Sequence, residues 1–210
     1  MSGLSTSIGI FGSALLILCI WVRMLPWHIK IPAWRGLVFI AGAVFILIPF
    51  GELSIAAKLR GLVGDLSMTS LLGMVLFSLS YITGRDTLDR YNRYVLLLCV
   101  LCAALFLYPM TMGLTYFDPY LLGYGSYGFA FVVFLFAVAS WYIRAYVTAA
   151  AILLAMVAYA VGLYESRNLW DYLVDPVVTA YAVLWLLAAA WKNLYRRLRP
   201  GGDQPDIVEP

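Results

Sequence analysis

Charge is scarce in this chain. Only 12% of its 210 residues are Asp, Glu, Lys or Arg, against about a quarter in an average soluble domain. Histidine is scarcer still: His28, in the segment LPWHIKIPAW, stands alone. That excludes a haem held by two histidines and any multi-histidine metal centre, and no cofactor is implied. The three cysteines, Cys19, Cys99 and Cys102, all lie inside apolar runs, so no disulfide framework is implied either. Cys99 and Cys102 share a helix face, with Cys19 expected at similar depth. A soft-metal or redox site is one reading of the three; small apolar packing residues is the preferred one.

Two further absences narrow the class. There is no Gly-rich phosphate loop or groove-reading motif, and a net charge of +3 is spread over scattered basic residues. Nucleic acid is therefore not an expected partner. No basic residue precedes the first apolar run, and no small-residue cleavage site follows it. The run reads as a first span and not as a cleaved signal.

What the chain has in abundance is apolar length: 64% of residues are hydrophobic and the mean hydropathy is +0.90. The excess falls in long runs, the pattern of membrane spans. Seven helices are predicted, at about Leu4–Leu25, Ala33–Phe50, Leu62–Thr83, Tyr94–Gly113, Gly125–Tyr146, Thr148–Tyr164 and Val177–Tyr195. The fold class is all-α: a polytopic membrane bundle over residues 1–195, followed by a disordered tail over 196–210. Pro109 is expected to kink the fourth helix. Ala151, Ala155, Ala158 and Gly162 on the sixth, and Ser5, Gly9 and Ser13 on the first, form small-residue ridges for close helix packing.

Basic residues orient such a bundle. Arg23, Lys30, Arg35, Arg85, Arg90, Arg93, Arg144, Lys192, Arg196, Arg197 and Arg199 fall on one side, and Lys58, Arg60 and Arg167 on the other. The eleven-to-three split makes the first side cytoplasmic, with the N-terminus outside and the C-terminus inside. The expected location is a plasma membrane. Tryptophans 21, 27, 34, 141 and 191 then form a cytoplasmic aromatic belt, and Tyr116, Phe117, Tyr120, Tyr124, Tyr127, Trp170 and Tyr172 an outer one.

The most chemically specific stretch is Glu165–Pro176, ESRNLWDYLVDP, on the outer side. Asp175 before Pro176, and Asp118 before Pro119, are helix-start signals with Asp as N-cap and Pro at the first helical position. Asn168 and Asp171 have the spacing of a capping box at the start of a short interfacial helix, and Asp65 is expected to cap the third helix. Glu52 and Glu165 differ, because each sits at the C-terminal end of a helix, where the dipole disfavours a carboxylate. The outer arginines Arg60 and Arg167 are their expected partners. One outward pocket is thus expected from Glu52, Arg60, Asp65, Glu165, Arg167 and Asp171, rimmed by Tyr116, Trp170 and Tyr172.

The first three helices also correspond faintly to the last three: Trp and Arg end the first and fifth, Glu52 and Glu165 the second and sixth. Asp65 with Thr69 begins the third, and Asp175 with Thr179 the seventh. The layout resembles the three-plus-one-plus-three plan of the SWEET sugar transporters, although the chain holds no Pro-Gln dipeptide. The expected function is non-enzymatic: binding of a ligand or partner at the non-cytoplasmic face, as a solute carrier or an envelope-assembly component. The alternatives are an intramembrane enzyme acting on a lipid-linked substrate through outer carboxylates, and a structural subunit of a larger membrane complex. Expected partners are the bilayer, a small or lipid-linked ligand, and another membrane protein.

Overall fold

Long apolar segments punctuated by caps and glycines fold here into helices joined by short turns. The computed structural model describes residues 2–24, 32–114 and 116–198. Among these are seven long helices: α1 (Ser2–Met24), α2 (Pro32–Leu47), α4 (Met68–Thr83), α5 (Arg90–Pro109), α6 (Tyr127–Tyr142), α7 (Tyr146–Ala160) and α9 (Pro176–Leu198). Two short helices, α3 (Ile55–Val63) and α8 (Leu169–Leu173), lie at one end of the bundle. His28 and the tail from residue 199 lie outside the described residues, while Arg196–Leu198 continue α9 where a disordered tail was expected.

Local chemistry explains where the boundaries fall. The expected third helix is cut in two because Gly64 ends α3 at φ 80°, a left-handed conformation that glycine adopts without penalty. Ser67 then caps α4, accepting a hydrogen bond from Ser70 N. Asp65 is therefore not the cap. After α2 the chain makes a two-residue antiparallel pair, Pro49–Phe50 with Leu53–Ser54, with Glu52 in its turn. Pro109 ends the α-helical part of α5, and one π-type turn carries the chain on to Leu114. A 3-10 segment, Pro119–Gly123, follows, its first N–H groups capped by Asp118 as expected.

Packing has two centres. The larger joins α5, α7, α8 and α9 through Leu97, Val100, Ala104, Leu107, Ala155, Ala158, Trp170, Tyr172, Val178 and Ala182. The smaller joins α1, α2 and α3 through Ala14, Leu18, Ile46 and Ala56. The expected small-residue ridges are buried, at Ala151, Ala155 and Ala158 on α7 and at Ser5, Gly9 and Ser13 on α1; only Gly162, past the end of α7, is exposed. The repeat does not hold. Helices α1, α2 and α4 pack against one another, whereas α9 leaves α6 and α7 and packs chiefly on α5. The two triplets thus differ in spatial order, and the transporter-like layout falls with them.

Among the described residues, three helices are long and apolar enough to cross a membrane: Ser5–Met24 (20 residues), Arg90–Leu114 (25 residues) and Pro176–Arg196 (21 residues). Many large apolar side chains on α2, α5, α6 and α9 face outward. A chain with three such helices and this surface is a membrane protein. The other four long helices are apolar but shorter.

Candidate acidic cavity at the α8 end

The segment Glu165–Pro176 carries the short helix expected after Asn168, but it is buried as a plug and not laid along the surface. Asn168, Leu169, Trp170, Tyr172, Leu173, Val174 and Asp175 are all buried. Asn168 caps α8 by accepting from Trp170 N, and its amide donates to the Tyr120 carbonyl at 2.9 Å. Trp170 Nε1 donates to the Pro119 carbonyl, and its ring packs on Phe129 with centroids 4.7 Å apart. Tyr172 stacks on Tyr164 and donates to the Ser166 carbonyl. Gly123 is required opposite this segment, because a Cβ there would overlap the Asn168 side chain.

Asp175 ties the plug to the bundle. One carboxylate oxygen accepts from Val178 N at 2.8 Å, capping α9 as expected. The other accepts from Ser67 N at 2.7 Å and from Ser70 Oγ at 2.5 Å. One buried carboxylate thus serves the N-termini of two helices, where both dipoles favour a negative charge. Thr69 Oγ1 donates to the Leu173 carbonyl, and Tyr164 Oη to the Leu66 carbonyl, in the same seam.

A cavity of about 450 Å³ opens beside this seam. Asp65, Asp171 and Asp175 line it, with the phenols of Tyr108, Tyr120 and Tyr164, the hydroxyls of Thr111 and Ser166, and apolar Leu107, Val174 and Pro176. Asp171 accepts from Tyr120 Oη at 3.1 and 3.0 Å and from Ser166 Oγ. It does not return to the Asn168 N–H, which Ser166 Oγ takes instead, so the expected capping box is only half formed. Burial, then the neighbouring Asp171 charge, pushes the Tyr120 phenol well above its usual range. Burial and next the Asp65 charge do the same to Tyr164. Both phenols stay neutral donors across the physiological range.

The expected residues distribute differently from the expected pocket. Arg60 turns to Asp65, donating Nε–Oδ1 at 2.7 Å and Nη2–Oδ2 at 3.2 Å, a two-point fork laid across Gly9 of α1. That hydrogen bond raises the guanidinium pKa, opposed by partial burial, with a smaller contribution from the charge of Glu165. Glu165 is thus within electrostatic reach of Arg60, but it is exposed, as is Glu52. Arg167 is exposed and makes no ion pair among the described residues. Trp170 and Tyr172 are packed into the plug and Tyr116 faces fully outward, so none of the three rims the cavity. Of the expected set, only Asp65 and Asp171 line it.

No family model, curated protein or solved structure matches the chain. The reading therefore rests on the geometry. Sequence reasoning missed Tyr108, Thr111, Tyr120, Tyr164 and Ser166. Asp118-Pro119-Tyr120 and Tyr108-Pro109 were visible as helix boundaries, but nothing in them signals convergence on one space. The cysteines do not converge: Cys19 lies against Met74 and Ser78 of α4, while Cys99 and Cys102 are exposed on α5. Among the described residues no three His, Cys, Asp or Glu side chains are placed to hold a metal ion.

Chemically the cavity is an acceptor site. Asp65 is neutralised by Arg60 and Asp175 by helix N-termini. Asp171 is met only by hydroxyl donors. The uncompensated charge is negative, and phenol rings flank it. That combination suits an organic cation, through charge-assisted hydrogen bonds and the ring faces.

Proposed function

We propose that the protein binds a small hydroxylated organic cation in the Asp65–Asp171–Asp175 cavity, as the recognition step of a carrier or of an envelope-assembly component in a plasma membrane. The observation that carries this reading is Asp171, a carboxylate lining the cavity with two hydroxyl partners and no cationic partner among the described residues. We also propose that all seven long helices cross the bilayer, with the α8 end outside the cytoplasm. Contacts between helix starts and helix ends support this, Arg35 of α2 reaching the Tyr81 carbonyl of α4 and Tyr91 of α5 the Ile143 carbonyl after α6, as does the excess of arginine at that end, where Arg93 also pairs with Asp86. Helices of about 16 residues are short for a ~30 Å core, and capped flanking turns with local bilayer thinning would accommodate them.

The test is a thermal-stability screen of the purified protein in detergent against amines, amino alcohols, amino sugars, neutral sugars and organic anions. Saturable stabilisation by hydroxylated cations and none by anions is expected, as a ligand that binds only the folded state must stabilise it. Asp171→Asn is expected to remove the response without loss of helix content. Stabilisation by anions, or by nothing in the panel, would overturn the reading.

A further inference from the structure

We propose that the cation is the ammonium head group of a membrane amphiphile, entering the cavity from the bilayer and not from the aqueous phase. The inference rests on the cation-binding reading above and adds the depth of the site. Arg90 fixes one end of the α5 span at the basic interface. At 1.5 Å per residue, Tyr108 lies ~27 Å and Thr111 ~31 Å along the axis, which is where ~30 Å of hydrocarbon gives way to head groups. The α9 span, Pro176–Arg196, gives the same answer: 21 residues place Pro176 one hydrocarbon thickness from the basic end. Tyr108, Thr111 and Pro176 all line the cavity. It therefore sits at head-group depth, at the top of two spans that pack on each other and are little covered by the rest of the bundle.

Two further observations point to an occupant of this kind. Tyr108 Oη is out of contact with solvent and has no hydrogen-bond partner. Thr179 lies near, its hydroxyl donating to the Asp175 carbonyl at 2.8 Å and keeping free lone pairs, but no hydrogen bond of good geometry from Tyr108 reaches it. A buried, unpaired phenol in a cavity wall is costly unless a ligand completes it. The wall itself continues into an apolar rim: Met112 is 82% and Leu114 76% exposed, and Tyr116 and Phe117 follow. Side chains of this kind at the interface lie among acyl chains and glycerol groups. An ammonium group would sit against Asp171, with the Tyr120 and Tyr164 phenols in the cavity wall, and leave its tail along Met112 and Leu114. Arg167, next to lining Ser166 and free of an ion pair among the described residues, is placed for a phosphodiester outside the cavity mouth.

The experiment titrates delipidated protein in detergent with dihexanoyl phosphatidylethanolamine, dihexanoyl phosphatidylglycerol and ethanolamine, following thermal stability. The expected result is saturable stabilisation by the ethanolamine lipid at a concentration at least tenfold below that of ethanolamine, with none from the glycerol lipid. Tyr108→Phe should weaken the lipid response several-fold and Asp171→Asn at least tenfold. Equal half-saturation by ethanolamine and its lipid would overturn the inference and leave the cation reading standing. An equal response to the glycerol lipid would overturn both, and no response to any of the three would overturn the inference, the cation reading then standing or falling on the wider panel of amines and amino sugars. Should Asp171→Asn fail to fold, Tyr108→Phe decides alone, since an unchanged half-saturation removes the unpaired phenol from the site.

Discussion

At the scale of single residues, charge placement separates the structural acids from the candidate binding acid. Asp175 makes three hydrogen bonds to the starts of α4 and α9 from a buried position. Asp175→Ala removes all three and leaves buried N–H groups unsatisfied, so a loss on the order of 3 kcal/mol is expected, read as lowered stability to thermal unfolding in detergent. Glu52, exposed in its turn, should tolerate Gln within about 0.5 kcal/mol in the same assay. Arg144 holds φ 62° between α6 and α7 without being glycine. Relieving that left-handed backbone by Arg144→Gly should raise stability by roughly 1 kcal/mol. The phenols set the alkaline limit. Tyr120 and Tyr164 have folded pKa values raised by burial first and by Asp171 and Asp65 second. The folded state therefore holds protons that the unfolded chain gives up near pH 10. Stability from these two phenols is fully present below about pH 10 and declines as pH rises above it. Unfolding midpoints measured from pH 8 upward should fall beyond that point, and less so in Tyr164→Phe.

At the scale of elements, α8 matters out of proportion to its five residues. Its polar atoms serve three neighbours: the 3-10 segment through Asn168 and Trp170, the end of α7 through Tyr172, and α4 through Leu173 and Asp175. Gly123→Ala places a methyl in the space of the Asn168 side chain. Because that contact cannot relax without breaking the cap, a cost of about 2 kcal/mol is expected. Hydrogen exchange should show the consequence locally, with the amides of Asn168–Val174 losing protection while those of α1 and α2 keep theirs. Uniform loss across the bundle would mean that the plug is not a separate unit.

At the scale of the whole molecule, the proposal is one of sidedness. In a background without Cys19, Cys99 and Cys102, single cysteines at Arg167 and Asp86 occupy exposed positions at opposite ends of the bundle. An impermeant maleimide added outside intact cells should modify the first and spare the second. Labelling of both, or of Asp86→Cys alone, would overturn the seven-span arrangement or its direction. The three helices of full spanning length would remain, but the charge argument built on the other four would not.

Membrane character and helical class were legible in the sequence because burial in lipid demands long apolar segments, and composition alone records that. Helix starts at Asp118 and Asp175 were legible too, since a cap is a contact between residues two or three apart. The α3–α4 break was not read, although Gly64 marks it, because a hydropathy run does not register one positive φ. The site lay further from view. Arg60 and Arg167 were expected to meet Glu52 and Glu165, as like positions at helix ends suggested. The fold instead gives Arg60 to Asp65 and leaves the other three exposed. Tyr120 and Asp171, 51 positions apart, and Ser67 and Asp175, 108 apart, meet because the α8 segment is packed inward against α4, α7 and the 3-10 segment. Periodicity and spacing report on neighbours along one helix. Convergence of acids and phenols on one cavity depends on which helices touch, and that was decided by packing.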